Sequence, residues 1–177
     1  MITGQGTVGK ELIEDLQPDS VNLYYLFVFV GGGGLISGIL LAAKALSPNT
    51  KIIGVEPNAG NDVQQSLQKG QIVHIETPVT IEDGAQTQHL GNLPFAIMKQ
   101  NVPEIITVTD DELVNVMDFF GERMKLVVEP TDYLGLAGLR KMVKSGEVPK
   151  GSSYRMVLSG GNVDKKRYCE LISYSLS

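Results

Sequence analysis

Four consecutive glycines, Gly31, Gly32, Gly33 and Gly34, stand between an apolar run at residues 23–30 (LYYLFVFV) and a second at residues 35–46 (LISGILLAAKAL). The first run is aromatic and β-branched with no polar face, as in a central strand of a parallel sheet covered by helices. The second reads as a helix. Glycines between a strand and a helix let the backbone turn several N–H groups toward one point, and the positive end of the helix dipole faces the same point. Such a turn holds a phosphate without any basic side chain. A related turn, Ser159, Gly160, Gly161 and Asn162, follows the apolar residues 156–158, so strand, glycine turn and helix are expected twice.

Residues 23–43 form an uncharged stretch of 21 residues, the length of a membrane span. Four central glycines would each cost a continuous helix about 1 kcal/mol relative to alanine, so the stretch reads as strand, turn and helix instead. The 177 residues and 42% hydrophobic content suit one globular domain with a sizeable core. A net charge of −5 without a basic stripe argues against nucleic acid or an anionic membrane as partner and favours a small molecule. One cysteine, Cys169, and two histidines, His74 and His89, offer neither an internal disulfide nor zinc-ligand spacing. A reduced, cytoplasmic protein without a secretory leader is expected.

Along the chain, residues 7–16 place Val8, Leu12, Ile13 and Leu16 on one helical face, with Pro18 and Asp19 as the stop. Residues 51–55 (KIIGV) read as a second buried strand, completing a crossover unit. A short helix is expected at 61–69, ended by Gly70, then loop with short strands at 71–88, a short helix at 93–99 and a strand at 104–108. Thr109 and Glu112 form a capping box for a helix to about residue 125, with Leu113, Val116, Met117 and Phe120 facing inward. Thr131 is placed to cap a helix through residue 143, whose Gly135, Ala137 and Gly138 offer a smooth packing side. Gly146 and Pro149 end it, and the last strand is expected at 154–158, before a C-terminal helix carrying Cys169.

Two phosphate motifs fail on spacing. A P-loop needs Lys and Ser/Thr after its last glycine, whereas Ile39 and Leu40 follow Gly38. A dinucleotide fingerprint would run G-x-G-x-x-G, and the nearest match ends on Ser37. Glu56, some twenty residues on, nevertheless resembles a ribose-binding acid and keeps a nucleotide-binding alternative open.

GQGTVGKE (4–11), VGGGGLISG (30–38), IIGVEP (52–57), ERMKLVVEPT (122–131) and LSGGNVD (158–164) resemble, in order and spacing, the serine/threonine dehydratase and serine racemase family. The resemblance implies an α/β, three-layer αβα architecture with a mostly parallel sheet, making up most of the large domain of the tryptophan-synthase-β-like fold, as a single domain over residues 1–177. It covers the C-terminal half of the family pattern. The Schiff-base lysine in its S-x-K-x-R context, the asparagine beside the ring and the opposing serine belong to the other half, so no catalytic residue is assigned here.

The resemblance further implies pyridoxal 5′-phosphate as cofactor, its phosphate on Gly31, Gly32, Gly33, Gly34 and the amide of Leu35, and its pyridine nitrogen at Ser159. Glu56, Gly60 and Asp62 match a divalent-cation site suited to Mg²⁺ or Ca²⁺, although as residues alone the two acids equally suit a solvated strand end. The implied activity is β-elimination of water from threonine, serine or hydroxyaspartate with release of ammonia and a keto acid, incomplete in this chain alone. A homodimer or association through exposed apolar surface is expected, and a non-catalytic phosphate-binding or assembly module is the alternative. Asp132 and Tyr133 stand where the family carries smaller residues, and Phe29 where a smaller one, often proline, precedes the glycines. Their bulk is expected on the active-site side.

Overall fold

The structure, a computed structural model, describes residues 1–16, 23–82, 84, 86–101 and 104–174. Its elements run α1 (Ile2–Leu16), β1 (Tyr25–Phe29), α2 (Gly34–Leu46), β2 (Lys51–Pro57), α3 (Asp62–Lys69), α4 (Asn92–Asn101), β3 (Glu104–Val108), α5 (Asp110–Phe119), α6 (Leu134–Ser145), β4 (Tyr154–Met156) and α7 (Lys165–Tyr174). The four strands form one parallel sheet in the order β3-β2-β1-β4. Phe27 at its centre pairs with Ile53 on one side and Met156 on the other.

Strand alternation explains the three layers. Tyr25, Phe27, Ile53 and Val55 point into one apolar cluster with Leu113 and Met117 of α5, Leu134 and Ala137 of α6, and Leu171 of α7. Leu26, Val28 and Ile52 point the other way, against Ile13 of α1, Ile36, Ile39 and Leu40 of α2, and Met98 of α4. Both faces are thus covered, which is why the 23–30 run has no polar side. It is strand, turn and helix, and no helix among the described residues is long and apolar enough to cross a membrane.

Several expectations need correction. The first helix starts at Ile2, five residues early, through Gly4 and Gly6. Packing overrides the poor helix propensity of glycine: a Cβ on Gly38 of α2 would lie 2.5 Å from the Gly6 amide nitrogen and the Ile2 carbonyl oxygen, so the two helix backbones touch. Pro18 and Asp19 lie outside the described residues. The fifth α-helix ends at Phe119 and widens into a π-turn, Phe120–Met124, stopped by Lys125 in the left-handed region (φ 56°). This turn buries Phe120 edge-on against Tyr133, ring centres 5.0 Å apart. Residues 71–88 form no strand among those described. Thr131 caps nothing: it is buried in a 3₁₀ turn, Pro130–Tyr133, and α6 starts without a side-chain cap.

Other expectations hold. The Thr109–Glu112 capping box is complete, with both hydrogen bonds formed. Gly138 sits where a Cβ would meet Val55 at 2.7 Å, which accounts for the smooth side of α6.

Candidate cofactor site

The strands converge, at their C-terminal ends, on a cavity of about 900 Å³. This is the end at which open parallel sheets bind ligands. Gly31, Gly32, Gly33, Gly34 and Leu35 line it from one side, Ser159 and Gly160 from another. The two turns singled out in the sequence therefore face one space.

The glycine turn is built entirely of backbone. Gly33 is the N-cap of α2 with φ 82°, and no side chain caps the helix. The first N–H groups of any helix lack intrahelical acceptors, so α2 presents them to the cavity side. The glycines differ in what they need. A Cβ on Gly33 would meet Leu90 at 2.7 Å and Pro94 at 2.8 Å, whereas one on Gly32 would meet no protein atom within 4 Å. Packing requires glycine at 33, while at 32 a side chain would enter the open cradle. The Gly32 carbonyl accepts a hydrogen bond from the Gly91 amide, at 3.5 Å.

The second turn is held by acids. Glu129 lines the cavity, and its backbone N–H donates to the Gly160 carbonyl at 3.3 Å. The Asp132 carboxylate accepts from the amides of Ser159, at 2.5 Å, and Gly160, at 2.9 Å. Asp132 is fully buried. Burial pushes its carboxyl up to about 6, the Ser159 amide pulls it back, and the charge of Glu129 raises it further.

The expected intrusion of Asp132 and Tyr133 does not occur. Tyr133 is buried in the core below the cavity, its hydroxyl accepting from the Val128 amide at 3.2 Å, and only Phe29 of the three bulky residues lines the space. The helix expected straight after the second turn begins only at Lys165, with Asp164 accepting the Arg167 amide at 2.9 Å. Thr131, expected as a helix cap, also faces the cavity, as do Gly84 and Glu129, to which the sequence assigned no role. The Glu129–Pro130–Thr131 run was the signal for two of them, and Gly84 left none. The Thr131 hydroxyl accepts from the Gly84 amide at 3.2 Å and so anchors the 71–91 loop to the site.

Glu56, Gly60 and Asp62 gather at the end of β2, away from the cavity lining. Solvated acids they are not: Glu56 and Asp62 are 0% and 1% exposed. Glu56 accepts from the amides of Val63, at 3.2 Å, and Gln64, at 2.9 Å, so it caps α3 and presents no ribose acid to the glycine turn. Burial pushes Glu56 up to about 8, partly offset by the Gln64 amide and reinforced by Asp62. Burial also pushes Asp62 up to about 6, its backbone amide and nearby His89 working against that. Asp62 Oδ2 has no hydrogen-bond partner. Among the described residues no three His, Cys, Asp or Glu side chains form a metal cluster. His89 packs on His74, ring centres 4.3 Å apart, and Cys169 is exposed on α7.

With this geometry in view, the sequence matches the family of pyridoxal-phosphate dependent enzymes over residues 1–160. The chain belongs to that family. It is 58% identical over 98% of its length to the L-threo-3-hydroxyaspartate ammonia-lyase of Saccharomyces cerevisiae, and 52% identical over 98% to the serine racemase of Schizosaccharomyces pombe. Among solved structures, maize serine racemase superimposes with a TM-score of 0.86 at 34% identity, covering 99% of this chain and 52% of that one. The chain spans about half the length of the curated relatives it matches, 51% in both cases.

Proposed function

We propose that this chain is the phosphate-binding large-domain half, a single domain over residues 1–177, of a pyridoxal-phosphate-dependent ammonia-lyase. Its substrate would be a small β-hydroxy amino acid, with hydroxyaspartate favoured over threonine and serine by the 58% identity to a hydroxyaspartate ammonia-lyase. The observation that carries the reading is the shared cavity: the backbone cradle at 31–35 and the Ser159 turn line one space. A Cβ-free gap at Gly32 and helix-start amides fit a phosphate.

When bound, pyridoxal phosphate supplies the electron-withdrawing ring that makes elimination of the β-hydroxyl possible. The chain's own residues do the rest of what this half contributes. Gly31, Gly32, Gly33, Gly34 and the Leu35 amide hold the phosphate, and Ser159 holds a hydrogen bond at the pyridine nitrogen. A hydroxyl there leaves the ring nitrogen largely unprotonated. No lysine lines the cavity among the described residues, so turnover requires a Schiff-base lysine from outside this segment.

A divalent cation, Mg²⁺ or Ca²⁺, would sit on Glu56, Asp62 and the Gly60 carbonyl. Two buried carboxylates, one with an oxygen left unpartnered, are a donor set of hard oxygens. Homodimerisation in the cytoplasm completes the reading, the dimer supported by exposed apolar side chains such as Tyr24, Val127 and Val143. The same exposure, with no lysine in the cavity, favours an assembly or phosphate-binding module as the second reading.

The test is an absorbance titration with pyridoxal phosphate, followed by borohydride reduction and mass spectrometry. Saturable binding without a covalent adduct, abolished in Gly32→Leu, is expected. Spectra unperturbed by the cofactor would refute the cofactor reading and leave the assembly module.

A further inference from the structure

Asp132 is a carboxylate in the wrong place for a surface residue and the wrong chemistry for a core one. It is fully buried, and among the described residues no Lys, Arg or His side chain forms an ion pair with it. What compensates it is backbone: both of its oxygens accept from consecutive amides, Ser159 at 2.5 Å and Gly160 at 2.9 Å. A carboxylate that accepts two N–H groups at once fixes the turn carrying them.

The grip is reinforced from the same segment. The Glu129 N–H donates to the Gly160 carbonyl at 3.3 Å, and the Glu129 carboxylate occupies the place that a Gly160 side chain would need. Residues 129–132 therefore hold residues 159–160 through three hydrogen bonds and a steric wall. Ser159 is left exposed, lining the cavity, while Asp132 lies behind it and off the lining. Its action is through Ser159.

We infer that Asp132 is a positioning residue that clamps the Ser159–Gly160 turn, so that the cavity carries a preset group for the ring end of the cofactor opposite the cradle for its phosphate end. The inference rests on the cofactor reading above for its purpose, but the clamp is a property of the chain itself. Nothing in the 129–132 segment hydrogen-bonds the glycine turn directly among the described residues; the link between them runs through the loop that Thr131 holds at Gly84 and that meets the glycine turn at Gly91.

Asp132→Asn keeps one acceptor oxygen and replaces the other with a donor, and Asp132→Ala removes both. Amide hydrogen exchange at Ser159 and Gly160, measured without ligand, should rise in the order wild type, Asn, Ala, while protection in α2 and β2 stays at the wild-type level. Affinity for pyridoxal 5′-phosphate should weaken by about tenfold in Asp132→Ala, equivalent to about 1.4 kcal/mol, and by less in Asp132→Asn. Affinity for inorganic phosphate, which needs only the cradle, should not change. Wild-type protection of both amides in Asp132→Ala, or equal weakening for cofactor and phosphate, overturns the inference. Failure of the wild-type chain to bind pyridoxal phosphate overturns the cofactor reading and with it the positioning role, and the ligand-free exchange data distinguish that failure from failure of the clamp.

Discussion

The two turns that face the cavity are built on opposite principles. The turn at residues 31–34 is locked by apolar packing, with Leu90 and Pro94 closed around Gly33. The turn at 159–160 is locked by the carboxylates of Asp132 and Glu129. A phosphate cradle gains from this division, because an acid at its mouth would repel the ligand that its amides attract. The acids are confined to the other turn, where the ring end of the cofactor would lie.

The largest effect should come from breaking the packed turn. Gly33→Val forces a β-branched side chain into a left-handed backbone and against Leu90 and Pro94, and a loss of about 3 kcal/mol is expected from the strain and overpacking together. Gly32→Ala meets nothing and should change stability by under about 0.5 kcal/mol while weakening ligand binding. Urea denaturation of the pair separates these outcomes, and equal losses would show that the two glycines are not distinct.

The acid-held side should answer to pH. Glu82 is fully buried with neither oxygen partnered. It lies two residues before Gly84, whose amide ties the loop to Thr131. Burial, with Asp110 nearby, pushes it up to about 9. Glu56, at about 8, and Asp132 and Asp62, at about 6, are raised in the same direction. Each folded value exceeds its unfolded one, so in the interval between them the native state holds a proton that the unfolded chain has lost. Stability therefore falls as pH rises through that interval. Melting temperature should be highest at about pH 4, where the unfolded carboxyls begin to ionise, and fall toward pH 9, and Glu82→Gln should flatten the part above pH 6. A melting temperature that rises from pH 5 to 9 would contradict this.

Asp132→Ala should cost less than Gly33→Val, about 1 kcal/mol. It strips two amides of their acceptor, but Ser159 is exposed and water can re-pair it. The smallest effect concerns the cation. Ca²⁺ at a concentration equal to its dissociation constant should stabilise the chain by about 0.4 kcal/mol, and Asp62→Asn should abolish the shift. An unchanged shift in that variant would place the ion elsewhere.

The same contrast explains what was legible in the sequence. Packing leaves periodic traces: the unbroken apolar run at 23–30, the small residues at 135–138 and the four glycines all marked their places, and the capping box marked the start of α5. They pointed to a parallel sheet covered by helices, while the three-layer αβα architecture was what the family resemblance implied. Contacts made by one buried polar atom across a long sequence separation leave no such trace. Asp132 meets Ser159 across 27 residues, and Thr131 meets Gly84 across 47. Asp132 therefore read as a departure from a family pattern, Thr131 as a helix cap, and Glu82 as one residue of an irregular loop. Glu56 and Asp62 were found by resemblance, yet their burial was not, because it is set by residues distant in sequence: Pro78 lies 3.1 Å from where a Gly60 Cβ would be, and His89 lies near Asp62.

The central claim is that both turns serve one ligand. Amide chemical shifts recorded by ¹⁵N NMR during a titration with pyridoxal 5′-phosphate address it residue by residue. The account predicts that the amides of Gly32, Gly33, Gly34, Leu35 and Ser159 move together and saturate at one ligand concentration. Movement of the glycine turn alone, or shifts confined to residues outside the cavity, would contradict it.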